Sequence, residues 1–125
     1  MLPSFNLFAG WVGFLAGAVT GALIGLFFHK DGWLGGYDSF SRRLVRLGHI
    51  ACFGLGFINI LFGLTAASLP ASSTLQLGSV LLAVGMVTMP LNCFLTAWKK
   101  PFRHLFFIPA GSTLFGIVCL LISLP

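Results

Sequence analysis

The chain has 125 residues, 58% of them hydrophobic and only 7% charged, with a formal net charge of +5. Soluble domains carry roughly 25% charged residues, so a chain this apolar is not an ordinary water-soluble domain, and the bilayer is expected to be its solvent. Two carboxylates, Asp31 and Asp38, in one short segment leave no paired acid–base site, and no P-loop, dinucleotide fingerprint or nucleophile–histidine–acid order occurs; the chain is not expected to be an enzyme.

Four uncharged stretches occupy residues 7–28, 47–69, 75–98 and 105–124. Each is as long as the roughly 20 helical residues that cross a hydrocarbon core. The expected fold is all-α: one integral-membrane bundle of four transmembrane helices over residues 1–125, joined by short loops. No basic residue precedes the first stretch, which is also too long for the apolar region of a cleavable signal.

In the first span Gly13, Gly17, Gly21 and Gly25 recur at every fourth position, with Ala9 extending the row and Ala18 and Ala22 beside it. Such a row lets helix backbones approach closely, and in lipid close packing has to hold helices together. Packing within the bundle is the preferred reading of the row, with docking on another subunit the alternative.

The connection over residues 29–46 carries Lys30, Arg42, Arg43 and Arg46. Asp31-Gly32 and Gly35-Gly36 form turns, and Asp38 or Ser39 is the expected N-cap of the second helix. A helix starting there puts Arg42, Arg46 and His49 on one face as a basic stripe. The second span brings Gly48, Cys52, Gly56, Asn59 and Gly63 into a seam of small residues, and the turn after it is uncharged. The third span has a polar row of Gly85, Thr88, Asn92 and Thr96 beside Pro90. Asn92 is expected to answer Asn59 or the carbonyl that Pro90 frees. The connection over 99–104 holds Lys99, Lys100 and Arg103, with Pro101 suited to a first helical turn. Pro109 either bends the fourth helix or marks its true start. In that helix Ser112, Gly116, Cys119 and Ser123 form another small seam.

All seven Lys and Arg residues therefore share one side. The positive-inside rule makes that side cytoplasmic and places both termini and the Ser/Thr-rich turn outside, with Trp11 and Trp98 as interfacial anchors. The expected location is a multi-pass position in a bacterial cytoplasmic membrane. Arg42, Arg43, Arg46, Lys99, Lys100 and Arg103 are the expected contacts for anionic lipid head groups. Cations confined to two short loops do not form a nucleic-acid surface.

Drawn on this topology, His29, His49 and His104 fall at nearly one depth. Two imidazoles from different helices are what a b-type haem needs, and neighbouring cations suit its propionates. The ordinary alternative is bonding to carbonyls, lipid phosphates or a partner. A metal site drawing on His49, Cys52 and Cys93 is conceivable. Cys52, Cys93 and Cys119 show no paired spacing, so neither a disulfide framework nor a zinc ribbon is expected.

Three functions are expected, in order of preference. The first is a non-catalytic membrane subunit packed within a larger complex of the respiratory or photosynthetic type, its spans uniformly apolar and rich in the chain's 14 Phe residues. The second is a haem-binding electron-transfer protein. The third is a small transporter or channel lined by Thr88, Asn92 and Asn59, although coupled transporters usually show charge inside the membrane.

Overall fold

The computed structural model describes residues 2–125, and side chains from residue 3 onward. Four α-helices succeed one another: α1 (Leu2–Phe27), α2 (Phe40–Ala66), α3 (Ser73–Trp98) and α4 (Phe107–Leu121). Short 3-10 turns, Trp33–Gly35 and Lys100–Leu105, lead into α2 and α4. All four helical segments, the last counted from Lys100, are long and apolar enough to cross a membrane.

Local chemistry fixes the ends. Ser39 caps α2, its hydroxyl accepting from Arg42 N at 3.2 Å and donating to Leu34 O at 2.6 Å. Ser72 caps α3 by accepting from Leu75 N at 3.1 Å. Each hydroxyl satisfies a main-chain N–H that the first helical turn leaves unpaired. The turn before α2 runs through three consecutive residues of positive φ, Leu34, Gly35 and Gly36. Two of them are glycines, as the left-handed region favours, while Leu34 is held by the Ser39 hydroxyl on its carbonyl.

Three boundaries differ from expectation. α1 begins at Leu2 and not at residue 7, so Asn6 lies inside a helix. α2 begins at Phe40, directly after the expected cap Ser39 and ahead of the uncharged stretch at 47, but ends at Ala66, short of residue 69. Charge marks where a span leaves hydrocarbon but does not stop a helix. Between Lys99 and Phe106 the chain is 3-10, with Pro101 in its first turn, and α4 proper starts just before Pro109. Pro109 marks the helix start, where its missing N–H costs nothing.

The helices pack in chain order, α1 on α2, α2 on α3 and α3 on α4, with a lighter α1–α3 contact. Phe62, Ala66, Leu75 and Leu82 form one core cluster between α2 and α3, flanked by Ile117 and Leu120 of α4. Ala9, Leu55 and Met86 form a second across α1, α2 and α3. Away from their polar ends the outward faces are apolar, with Phe8, Trp11, Leu26, Phe107, Phe115 and Ile122 all largely exposed. A surface of that kind is consistent with a multi-pass membrane protein.

Candidate functional site

The α1–α2 seam is built from glycine. Gly10 and Gly56 face one another so closely that a Cβ on Gly56 would lie 2.9 Å from Gly10 O, and one on Gly10 would strike Gly56 O and Ile60. Gly13 lies against Cys52 O and Gly56 Cα, Gly17 against the Phe53 ring and Gly21 against the His49 ring. Three members of the glycine row therefore pack within the chain. The fourth, Gly25, has no atom within 4 Å of where its Cβ would be.

A closed polar cluster joins α1, α2 and α3. Asn6 Nδ2 donates to Asn59 Oδ1 at 2.8 Å and to Ser79 O at 3.3 Å, while the Ser79 hydroxyl donates to Asn6 Oδ1. Asn59 Nδ2 donates to Leu55 O at 2.9 Å and Leu82 O at 3.2 Å. All three side chains are 0% exposed. Each amide finds a partner, as burial away from water demands. Asn59 thus answers Asn6, not Asn92. Asn92 Nδ2 instead donates to Phe102 O at 3.0 Å, and its Oδ1 accepts from Thr96 at 3.3 Å. It fastens the 3-10 connection to α3 and leaves both expected partners aside.

The basic residues divide. Arg42 is only 3% exposed. Its guanidinium donates to Phe28 O at 2.9 Å and Asp31 O at 3.3 Å, closing the C-terminal end of α1. Phe28, Trp33 and Tyr37 surround it, with ring centroids 4.8, 5.5 and 5.8 Å from Cζ. Nε is buried without a partner. Arg42 is thereby set apart from the head-group set: its donors turn inward to main-chain carbonyls of the connection, and the surrounding ring faces supply further negative potential. Arg43, Lys99, Lys100 and Arg103 are exposed. Arg46 lies over Tyr37, Cζ 4.2 Å from the ring centroid, and donates to Tyr37 O at 3.3 Å.

The histidines do not converge on one cleft. His49, half-buried, meets Thr20 Oγ1 at 3.3 Å and stands edge-on to Phe53 at 5.4 Å. It lines a cleft of about 390 Å³ between α1 and α2, with Gly21, Ile24, Gly25, Phe28, Arg46 and Ile50. His104 lines a different cleft, of about 400 Å³, with Arg103 and residues of α2 and α3 that include Leu47, Asn92 and Thr96. His29 is exposed at the end of α1 and lines neither. Among the described residues no three His, Cys, Asp or Glu side chains gather as a metal-binding group. Cys52 touches Gly13 through its main-chain oxygen; its buried side chain, with Thr20, lines a further cleft beside Met86 and Pro90, while His49 reaches Thr20 from the cleft at Gly21.

Two features here carried weak sequence signals. Asn6 precedes the first uncharged stretch, and Gly10 stands one position out of the row; their facing partners, Asn59 and Gly56, are conspicuous in the second span. The fold and its seams define the chain as an all-helical protein with four helices of membrane-spanning length and apolarity. No family model matches the sequence, and neither a curated protein nor a solved structure matches it.

Proposed function

We propose that the chain is a non-catalytic membrane subunit that packs within a larger membrane complex of the respiratory or photosynthetic type. It sits in a bacterial cytoplasmic membrane with both termini outside and the basic connections inside, the orientation that the one-sided charge favours. The observation that carries this reading is the uneven cover of the helices. In the last segment, Lys100–Leu121, only 17% of the spanning window is buried, against 39% in α2 and in α3. Its outward face presents Phe107, Leu114, Phe115 and Leu121. The interior supports the same reading, because the Asn6, Asn59 and Ser79 groups satisfy one another and act as glue between helices. Their closure leaves the third-span row without a polar path to continue into. The haem alternative needs two histidines at one cleft, and His49 and His104 line separate ones.

Mild-detergent purification of the tagged chain is expected to bring out a larger membrane partner in fixed stoichiometry. A photo-crosslinking residue at Phe115 should capture that partner, whereas one at Phe62, buried between α2 and α3, should not. A lone monomer or homodimer that moves solute across vesicles would overturn the proposal.

A further inference from the structure

The antiparallel register of α1 on α2 pairs Gly13 with Gly56, Gly17 with Phe53 and Gly21 with His49. Continued by one more step, it sets Gly25 opposite Arg46, and both line the same cleft. There the seam is not filled. The Arg46 side chain is folded back onto Tyr37, and the space over Gly25 stays open. The opening is therefore the one place where the glycine spacing continues and its neighbour withdraws.

The lining of this cleft is amphipathic in a directed way. Arg46 and Phe28 stand at the end nearest the basic connection, His49 and Gly21 come next, and Ile24 and Ile50 supply the apolar wall. The Arg46 guanidinium donates to Tyr37 O and keeps further N–H donors for a ligand. Only two carboxylates exist in the chain to compete for it, Asp31 and Asp38. His49 adds a second polar contact. The Thr20 hydroxyl donates to Ala16 O at 2.8 Å, so its contact with His49 uses the imidazole Nδ1–H and leaves Nε2 as an acceptor, suited to a head-group hydroxyl and not to the phosphate. A volume of about 390 Å³ is within the range of small-ligand sites.

From this charge complementarity we infer that the α1–α2 cleft binds one anionic glycerophospholipid, its phosphate on Arg46 and a head-group hydroxyl donating to His49 Nε2, with the start of one acyl chain against Gly25, Ile24 and Ile50. The inference uses the membrane placement of the helices and does not depend on any protein partner. It turns a diffuse basic face into one site: Arg46 holds the head group, Arg42 is closed off inside the loop, and Arg103 faces a different cleft.

The test is retention of lipid by the purified, delipidated full chain titrated with phosphatidylglycerol or phosphatidylcholine and read by native mass spectrometry. The expected result is a single phosphatidylglycerol adduct that outlasts phosphatidylcholine. Arg46→Gln should weaken it about five-fold, the usual worth of one cation at an anionic lipid surface. Gly25→Phe, which fills open space, should remove it, and Arg103→Gln should leave it unchanged. Equal retention of the two lipids overturns the site. So does an Arg103→Gln loss as large as that of Arg46→Gln, which would mean bulk charge only. If Gly25→Phe does not purify folded, the two arginine variants decide alone.

Discussion

Replacing Gly10 or Gly56 by leucine is expected to prise α1 from α2 and cost about 3 kcal/mol or more, the upper range for overpacking a rigid site. The reason is what the new side chain meets. At Gly56 it meets the main-chain oxygen of Gly10, and at Gly10 it meets the main chain of Gly56 and Ile60. Backbone cannot rotate aside as a side chain can. Gly17 is a milder case, because its neighbour is the Phe53 ring, which can turn. Gly25→Ala should carry the opposite sign, neutral or stabilising by about 0.5–1 kcal/mol, since a helical glycine loses entropy and nothing occupies the added methyl's place. Reversible unfolding in mixed micelles across Gly10→Leu, Gly56→Leu, Gly17→Ala and Gly25→Ala measures the series. Equal costs at Gly10 and Gly25 would contradict a glycine seam that closes at one end and opens at the other.

The second large effect belongs to Arg42. Arg42→Ala removes two charge-assisted bonds to Phe28 O and Asp31 O, together with a cation held among three rings. Bonds to charged groups contribute about 1.5–3 kcal/mol each, so a loss near 3 kcal/mol is expected. Arg42→Lys should recover less than half of it, because a compact ammonium cannot bridge two carbonyls in the way a planar fork does. The loss should localise to the connection between α1 and α2. Limited trypsin digestion at Lys30 should accelerate in Arg42→Ala before the spans themselves melt. If Lys restores the wild-type melting curve, charge alone is sufficient and the fork geometry is irrelevant.

How much of the fold and its sites is legible in the sequence depends on the kind of signal. Hydropathy and charge locate all four helices, because the cost of a charge in hydrocarbon is large and needs no partner to be felt. Ser39 as a cap and Pro109 as a helix start come from local backbone chemistry. What escapes is pairwise. Asn6 looks like a residue of an outer tail until α1 is seen to begin at Leu2. Asn59 and Asn92 are both plausible ends of one bond, yet each bonds elsewhere, and spacing along a helix carries no information about which neighbour it will face. The glycine row reads as a seam of either destination; the structure gives Gly13, Gly17 and Gly21 to α2 and leaves Gly25 empty. Arg42 and Arg46, one turn apart on the same face, look alike in sequence. The fold of the Trp33–Gly35 turn buries one and leaves the other at a cleft.

The proposed arrangement in the membrane underlies both the subunit reading and the lipid site, since each requires the two basic connections on one side and the neutral turn on the other. Labelling with a membrane-impermeant thiol reagent tests this most directly. Ala71→Cys, in the neutral turn, and Gly32→Cys, in the first basic connection, both lie at exposed positions, while Cys52, Cys93 and Cys119 are buried. In intact cells Ala71→Cys should react, and Gly32→Cys should react only after the membrane is opened. Labelling of Gly32→Cys in intact cells, or protection of Ala71→Cys there, would contradict the proposed orientation.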